Sequence, residues 1–366
     1  MTPNFYARAK KFGVKTAETI YQALKKCPGL VLRPARHHVY GEYCGKANAI
    51  YGQYTDLLEQ ASIDESFMDV TDSLHLFGGD AGRLAEEVRA RIERELGLTV
   101  SIGVSWNRVF AKMAADLGKP NAVTVITRDN YRQRIWPLPI GSLYMVGKAT
   151  ESALLNMNLR TIGDLAQVDR QVVSQKLGKH GDALHSSANG RDTSPVISPE
   201  NNPRAQSIGN GVTFRRDLAS RRDVLTAVGA LSDNVASKLR RRGMKCAGVQ
   251  LTIKDPNFAV ITRQKGLPEP SWLTGDIAAA TMALYEASWK AEKPIRLLAV
   301  TAMKLIPADE VVEQVSLLDS PADAGQRMKK ERLAFALDRI RGKYGFGSVR
   351  TASAAFNDLG IYDDGG

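Results

Sequence analysis

The stretch Ala61-Ser62-Ile63-Asp64-Glu65-Ser66-Phe67-Met68-Asp69-Val70 places two adjacent acidic residues inside a segment of β-forming residues. Adjacent residues of a strand face opposite sides, so Asp64 and Glu65 can reach one site only from a turn or a bulge. Carboxylate oxygens suit Mg²⁺, which keeps several waters and is bound by a few carboxylates together with substrate phosphates. An acidic pair in a surface turn is more often simply solvated. The prediction of a metal site therefore depends on the surrounding residues.

Strand patterns and amphipathic helix patterns alternate after this stretch. Residues 81–96 carry apolar residues four apart, which predicts a helix with one apolar face. Strand-like segments at 99–104 and 123–126 flank a second helix pattern at 108–117. These patterns predict an α/β unit whose sheet is flanked by helices.

The second of these helices ends in Leu117-Gly118-Lys119-Pro120-Asn121, and Ala9-Lys10-Lys11-Phe12-Gly13-Val14-Lys15 supplies further cations upstream. A lysine held at a helix end beside two carboxylates can meet a triphosphate as a point charge. Acids for a metal ion, with lysines for the phosphates that the metal bridges, are the parts of a nucleotidyl-transfer site.

The second half of the chain has a different pattern. Residues 207–305 contain a strand, a helix, two strands, a helix and a strand, in that order. The helix at 223–242 has one apolar face and stops at Gly243. This βαββαβ order is ferredoxin-like, with one sheet face covered by helices and the other free to meet a ligand. Residues 192–203 have no apolar periodicity and several prolines, which predicts a linker before this domain.

The charge is strongly basic and uneven. The 366 residues include 50 Lys and Arg against 39 Asp and Glu, a formal net charge of +11. Eleven basic and three acidic residues lie between 204 and 254, so most of the excess falls in one half of the βαββαβ domain. Arginines at a helix end can complement the helix dipole, which would account for Arg240–Arg242 but not for Arg215 and Arg216. The cluster therefore predicts a phosphate-binding surface.

Several classes of protein are disfavoured. No apolar run approaches the about 18 residues of a membrane span, and the N-terminus lacks a signal-peptide pattern. Cys27, Cys44 and Cys246 are odd in number and far apart, which indicates buried small apolar residues in a reducing compartment. The five histidines lack zinc spacing, and no Gly-x-Ser-x-Gly or Walker loop occurs. We expect a cytoplasmic protein that binds nucleic acid.

Recognisable motifs extend over nearly the whole chain. They are Lys11-Phe12-Gly13-Val14-Lys15-Thr16, Lys26-Cys27-Pro28, Ser62-Ile63-Asp64-Glu65-Ser66-Phe67-Met68-Asp69-Val70-Thr71, Gly103-Val104-Ser105, Lys119-Pro120-Asn121, Leu159-Arg160-Thr161-Ile162-Gly163-Asp164-Leu165, Asn189-Gly190-Arg191-Asp192 and Ser207-Ile208-Gly209-Asn210. With these motifs the chain resembles a Y-family DNA polymerase of the DinB type. The Ser-Ile-Asp-Glu segment and the helix before Lys119-Pro120 are specific to that family.

The resemblance implies an α+β multidomain protein, a right-hand polymerase with an additional ferredoxin-like little finger. The implied boundaries are 1–36 for partial fingers, 37–127 for a palm lacking its first strand, 128–191 for a helical thumb with a helix-hairpin-helix, 192–203 for the linker, 204–306 for the little finger and 307–366 for the tail.

The resemblance also implies roles for individual residues. Asp64 and Glu65 fall on the catalytic metal ligands, for Mg²⁺, with two ions expected in a complete site. Lys10 and Lys119 fall on nucleotide-binding positions. The implied DNA-binding residues are Gly147 and Lys148 in the thumb, where a helix begins. In the little finger the basic cluster itself predicts the DNA-binding residues Arg215, Arg216, Arg240, Arg241 and Arg242.

The tail and the start of the chain carry two further expectations. Gln314-Val315-Ser316-Leu317-Leu318-Asp319 resembles the family's sliding-clamp-binding segment, with Gln314, Leu317 and Leu318 as the contacts. Family members begin with a strand bearing an Asp-x-Asp-x-Phe type of motif, which supplies a further metal-binding aspartate. This sequence opens already inside the fingers, so we expect impaired activity as written.

Three functional hypotheses remain at this point. The first is an error-tolerant, translesion DNA polymerase that binds primer-template DNA, deoxynucleoside triphosphates and a sliding clamp. This polymerase is expected to be a monomer and not to bind a membrane. The second is a catalytically inactive remnant that binds DNA and the clamp. The third, a generic basic nucleic-acid-binding protein, is disfavoured by the family motifs.

Overall fold

The computed structural model describes residues 9–198, 205–290, 292–311, 321–350 and 358–361. The chain divides into two compact units, which meet in sequence between Asn202 and Pro203. Each unit combines helices with β-sheet, as the prediction of an α+β multidomain protein requires. No helix of the described part of the chain is long and apolar enough to cross a membrane.

The first unit is mainly helical. Its helices are α1 Ile20–Lys26, α2 His37–Tyr51, α3 Ala81–Leu96, α4 Arg108–Leu117, α5 Tyr131–Arg134, α6 Lys148–Leu155, α7 Ile162–Gln167 and α8 Arg170–Ala188, the last interrupted at Gly178. Its strands are β1 Leu58–Gln60, β2 Ser66–Met68, β3 Ile102–Val104 and β4 Val123–Val125.

The strands of the first unit form two small sheets instead of the single sheet that the sequence predicted. Strands β1 and β2 pair antiparallel, and β3 and β4 pair parallel. The β-rich segment over 61–70 turns back at its acidic centre, where the sequence indicated that two neighbouring carboxylates could share one site. The amides of Ala61 and Ser62 donate to the carbonyl of Glu65 at 2.9 and 3.1 Å, and the Ser62 hydroxyl donates to Asp64 Oδ1 at 2.8 Å. Short polar side chains that bond locally favour such a turn over a continuous strand.

Helices α3 and α4 begin and end where the sequence predicted, because their ends carry local signals. The Asp80 side chain accepts hydrogen bonds from two amides of the first turn of α3, and Gly97 ends that helix in the left-handed conformation. The Asn107 side chain accepts from the Phe110 amide at 2.8 Å at the start of α4. The face of α3 that carries Leu84, Val88 and Ile92 is buried.

Strand β3 and helix α4 approach each other unusually closely at Gly103. A Cβ atom at this position would collide with the backbone of Ala111 and Ala115 on α4. Only a residue without a side chain allows the helix to lie at this height over the strand. Gly103 therefore fixes the position of α4 relative to the β3–β4 sheet.

The second unit is a four-stranded antiparallel sheet covered by helices. Its elements are β5 Ser207–Leu218, α9 Arg221–Arg241, β6 Met244–Lys254, β7 Val260–Ser271, α10 Thr274–Ser288, β8 Ile295–Pro307 and α11 Pro321–Tyr344. The strand order is β5–β8–β6–β7, so each β-α-β connection joins two parallel strands that have one other strand between them. The predicted βαββαβ order is confirmed, and α11 follows it in the chain.

The core of the second unit lies between the sheet and helices α9 and α10. Leu231, Val235 and Leu239 of α9 pack against Val249 and Leu251 of β6 without solvent exposure above 1%. Leu359, near the end of the chain, also joins this core, and its carbonyl accepts a hydrogen bond from the Arg215 amide. The burial of apolar side chains in a core of this kind is the main stabilising contribution to a folded domain.

Candidate active site and nucleic-acid interface

The candidate metal ligands lie in the turn between β1 and β2. Asp64 and Glu65 are both exposed there, and the turn lets the two neighbouring carboxylates project from one end of the hairpin. Ser66, the first residue of β2, donates to Asn48 Oδ1 of α2 at 2.7 Å. This bond ties the hairpin to the adjacent helix, so the acidic turn has a fixed base.

Helix α4 presents a line of alternating charges to this turn. Lys112 Nζ donates to Glu65 Oε1 at 2.6 Å and lies 3.3 Å from Asp116 Oδ2. Lys119 Nζ lies 2.6 Å from Asp116 Oδ1. Lys112 and Asp116 are four residues apart on α4 and share one face, and Lys119 lies two residues beyond the end of the helix. Of the residues predicted from sequence, the structure thus brings Glu65 and Lys119 into one charged group, with Lys112 and Asp116 between them.

The pKa values of Lys112 and Asp116 follow from these contacts. Burial opposes the charged form of Lys112, but the hydrogen bond to Glu65 and the nearby Asp116 outweigh it and raise the Lys112 pKa. Burial likewise opposes ionisation of Asp116, but its bonds with Lys119 and Lys112 hold its pKa below the ordinary value. Both groups are charged at neutral pH.

The donor atoms suit a hard cation only in part. Asp64 and Glu65 offer exposed carboxylate oxygens, which is the ligand type that Mg²⁺ prefers. Among the described residues no three His, Cys, Asp or Glu side chains are grouped so that they could hold a metal ion. Glu65 is moreover paired with Lys112. The arrangement fits one cation that shares its coordination with waters and substrate phosphates, and does not form a protein cage.

A second contact between α4 and the hairpin was missed by the sequence reasoning. Arg108 Nη2 lies 2.6 Å from Glu59 Oε1 of β1, and its guanidinium covers the Phe67 ring of β2 at 4.5 Å. Arg108 also donates to the Pro195 carbonyl at 2.7 Å, and Glu59 accepts from the Ile197 amide at 2.8 Å. One feature of the sequence could have indicated this contact. Arg108 and Lys112 are four residues apart on one predicted helix, so both can face the acidic hairpin.

The remaining predicted nucleotide and thumb residues are accessible. Lys10 lies exposed in a short helical segment at 9–11. Gly147 is the N-cap of α6 and has no side-chain cap, and Gly147 and Lys148 are both exposed. The first amides of a helix without a capping side chain can bind a phosphate. The placement of these residues is consistent with their predicted roles, which remain predictions.

The arginines of the second unit differ sharply in their surroundings. Arg241 and Arg242 are exposed at the end of α9, and Arg215 is exposed on β5. Arg216 is held by two acids, Asp223 at 3.0 Å and Asp358 at 2.6 Å, and these hydrogen bonds raise its pKa further. A phosphate that bound Arg216 would have to compete with both carboxylates.

Arg240 does not have the placement that DNA binding would need. Its side chain is 2% exposed and is held by Asp338 at 2.6 Å and by the Trp272 carbonyl at 2.8 Å. The guanidinium is therefore unavailable to a phosphate, and the residue instead joins α9 to α11. The sequence count of basic residues could not separate it from its exposed neighbours, because its acidic partner lies 98 residues away. The predicted clamp contacts Gln314, Leu317 and Leu318 lie outside the described residues.

Known proteins are similar to this chain in both units. The impB/mucB/samB family matches residues 5–116, and the impB/mucB/samB family C-terminal domain matches residues 205–317. The DNA polymerase IV of Acetivibrio thermocellus is 43% identical over 342 residues, which cover 93% of this chain and 84% of the relative. The chain belongs to the DinB-type Y family of DNA polymerases.

Other Y-family comparisons agree. The DNA polymerase IV of Clostridium kluyveri is 34% identical over 355 residues, which cover 96% of this chain and 88% of that relative. A solved Y-family DNA polymerase chimera of Dbh and Dpo4 superposes with a TM-score of 0.72 at 20% identity, over 82% of this chain and 86% of that chain. This likeness confirms the predicted right-hand polymerase fold with a little finger. The boundaries of fingers, palm and thumb stay predictions.

Proposed function

We propose that this chain is a template-directed DNA polymerase of the translesion type, which adds deoxynucleoside triphosphates to a primer. The observation that carries the proposal is the acidic turn of the β1–β2 hairpin, where Glu65 pairs with Lys112 of α4. Asp116 of α4 joins Lys112 to Lys119, which lies just beyond the helix end. Family membership supports the reaction class. The protein acts as a monomer in the cytoplasm in this proposal.

In the proposed site Asp64 and Glu65 would hold Mg²⁺, and a second ion belongs to a complete site. When bound, Mg²⁺ would offset the negative charge that develops on the attacking and leaving oxygens of a phosphoryl transfer. To serve as a ligand Glu65 would have to give up its contact with Lys112, which would keep Asp116 as its partner. We expect slow primer extension by the 366-residue chain, because the described residues contribute only two carboxylates to this site.

Lysines and helix amides position the nucleic acid in this proposal. Lys119, which is 56% exposed, and Lys10 meet the triphosphate of the incoming nucleotide. The amides at Gly147 and Lys148 hold a backbone phosphate where α6 begins. In the second unit Arg215, Arg241 and Arg242 contact the phosphates of the primer-template duplex, without reading its sequence.

Primer extension by the purified chain tests the proposal. In MgCl₂, the unmodified chain extends a labelled primer, and Asp64→Asn or Glu65→Gln lowers the rate at least a hundredfold while primer-template affinity changes little. Asp72→Asn removes an exposed carboxylate outside the site and should leave the rate unchanged. Extension by the Asp64 and Glu65 variants at the unmodified rate would refute the assignment of the site.

A catalytically inactive DNA- and clamp-binding protein is the second candidate. The pairing of Glu65 with Lys112 favours it, because this contact neutralises one of the two described metal ligands. Normal primer-template binding without any Mg²⁺-dependent extension would establish this alternative.

Clamp binding through 314–319 completes the proposal. Leu317 and Leu318 would insert into an apolar pocket of the sliding clamp, where a few residues supply most of the affinity. Changing both to Ala should abolish clamp binding in calorimetry and leave primer-template affinity unchanged. Equal clamp affinity of the double variant would show that the segment is not the contact.

A further inference from the structure

Helix α11 is a fixed part of the second unit, although it lies outside the residues that match the C-terminal domain of the impB/mucB/samB family. Its Asp338 pairs with Arg240 of α9 at 2.6 Å, and its Arg341 pairs with Asp233 of α9 at 2.6 Å. All four side chains are at least nine-tenths buried. Ion pairs buried to this extent hold a defined geometry, because separating them leaves uncompensated charges.

Further polar contacts orient the same face of α11 inward. Glu331 accepts a hydrogen bond from the Trp272 indole at 2.9 Å, and Arg327 pairs with Glu269 of β7 at 2.6 Å. Phe335 packs edge-on against the Trp272 ring. The two acidic side chains that the structure describes on α11, Glu331 and Asp338, are thus both engaged by the second unit.

The opposite face of α11 carries only cations and apolar groups. Lys329, Arg332, Arg339 and Lys343 are exposed, and we call them the cationic face. Their spacing of three, seven and four residues places them on one side of the helix. In the described part of the chain none of the four makes an ion pair. Tyr344, which is 66% exposed, lies at the end of this face.

We propose that the cationic face binds the phosphodiester backbone of DNA. It spans about 21 Å from Lys329 to Lys343, at about 1.5 Å per residue. Duplex DNA carries one negative charge per about 1.7 Å of its axis, so each cation can meet a phosphate. The choice of DNA as the polyanion rests on the proposed function. The cationic face adds a DNA contact outside the two domains that match the family models.

The geometry favours DNA over a lipid surface. A helix that lies in a membrane interface inserts a broad apolar face between its basic residues. On α11 the exposed apolar residues do not form one broad face, because they flank the cations on both sides. Met328 and Phe335 lie on one side and Leu333, Ile340 and Tyr344 on the other, and Phe335 packs on Trp272. The remaining circumference is occupied by docking to the second unit. Backbone binding needs only the cations.

The test compares two variants of the full chain that lose the same charge. One carries Lys329→Gln, Arg332→Gln, Arg339→Gln and Lys343→Gln. The control carries Arg83→Gln, Arg94→Gln, Lys290→Gln and Lys293→Gln, which are exposed cations outside α11. Affinities for a duplex and for a single-stranded oligonucleotide are measured by fluorescence anisotropy over a range of salt concentrations.

For the α11 variant we expect at least a tenfold higher Kd at low salt. The slope of log affinity against log salt should fall by about 0.9 for each duplex phosphate that the variant no longer neutralises, or about 0.7 for a single strand. The control should change neither quantity comparably. A larger effect on one oligonucleotide identifies the form of DNA that the face binds. An unchanged slope with both oligonucleotides would overturn the proposal.

Two further measurements separate binding from damage to the fold and from lipid binding. A variant that exchanges Lys and Arg at the same four positions should bind DNA normally, and its loss of binding would overturn the proposal. If the Gln variant bound phosphatidylglycerol vesicles less tightly but still bound DNA normally, the cationic face would be a lipid-binding surface and not a DNA-binding one. Failure of the unmodified chain to extend primers would contradict the proposed function. The DNA-binding measurements would still test the cationic face, because they do not require polymerase activity.

Discussion

The ammonium of Lys112 lies 2.6 Å from Glu65 Oε1, so a lysine already occupies one of the two carboxylates that we propose as metal ligands. Arg108 of the same helix pairs with Glu59 of the hairpin, and Ser66 of the hairpin bonds to α2. A divalent cation at the proposed site would compete with the Lys112 ammonium for Glu65. We expect this pair to set how easily the site accepts a metal before nucleotide arrives.

Lys112→Gln should strengthen divalent-cation binding in the absence of nucleotide. Removing this partly exposed ammonium weakens the repulsion of the divalent cation by about 1 kcal/mol, which corresponds to about a fivefold gain in affinity. Titration with Mn²⁺ followed by electron paramagnetic resonance measures the change. Lys119→Gln is the matched control, because Lys119 pairs with Asp116 and not with Glu65. Equal or weaker binding by the Lys112 variant would contradict the competition.

Arg240→Ala should destabilise the protein by about 3–5 kcal/mol, because it leaves the Asp338 carboxylate buried without its partner. Arg242→Ala, at an exposed position two residues further on, should change stability by less than about 0.5 kcal/mol. Urea denaturation followed by circular dichroism measures both. The double change Arg240→Met and Asp338→Leu should recover most of the loss, and equal effects of the two single variants would show that the pair is not structural.

Acid should weaken the second unit through Asp223. The Arg216 guanidinium, with help from the Ala219 amide, lowers the Asp223 pKa to about 2. A lowered pKa in the folded state means that the stabilisation is present above the unfolded value near 4 and is lost as pH falls toward 2. Because Arg216 is 43% exposed, solvent screening limits the contribution to about 1 kcal/mol. Asp223→Asn should flatten the stability profile between pH 4 and 2, measured by denaturation at each pH, and an unchanged profile would contradict this account.

The three cysteines should differ in reactivity. Burial raises the pKa of Cys246 to about 12 and leaves its side chain without solvent exposure, so neither thiolate nor access is available at pH 8. Cys44 is also buried, whereas Cys27 is only partly buried, in contrast to the expectation that all three are inside. Iodoacetamide under native conditions should label Cys27 first by mass spectrometry. Early labelling of Cys246 would contradict the packing around β6.

The sequence predicted those features that depend on neighbouring residues. Helices α3 and α4 could be delimited because Asp80, Gly97 and Asn107 act within one turn of their helix ends. The acidic turn was recognised as the position where two carboxylates can share a site. The contacts of Glu65 with Lys112 and of Arg240 with Asp338 join residues that are far apart in sequence, so no local pattern contains them.

The close approach of α4 to β3 at Gly103 has a consequence for the rate of rearrangement in the site. The helix has no room to sink toward the strand, since its backbone at Ala111 and Ala115 already lies where a Cβ atom would be. If Glu65 left Lys112 for a metal ion, the adjustment of the protein would come from rotation of the Lys112, Asp116 and Glu65 side chains. Such rotations take picoseconds to nanoseconds, whereas collective helix shifts take microseconds to milliseconds. Rearrangement of these side chains is therefore faster than any step that moves a helix.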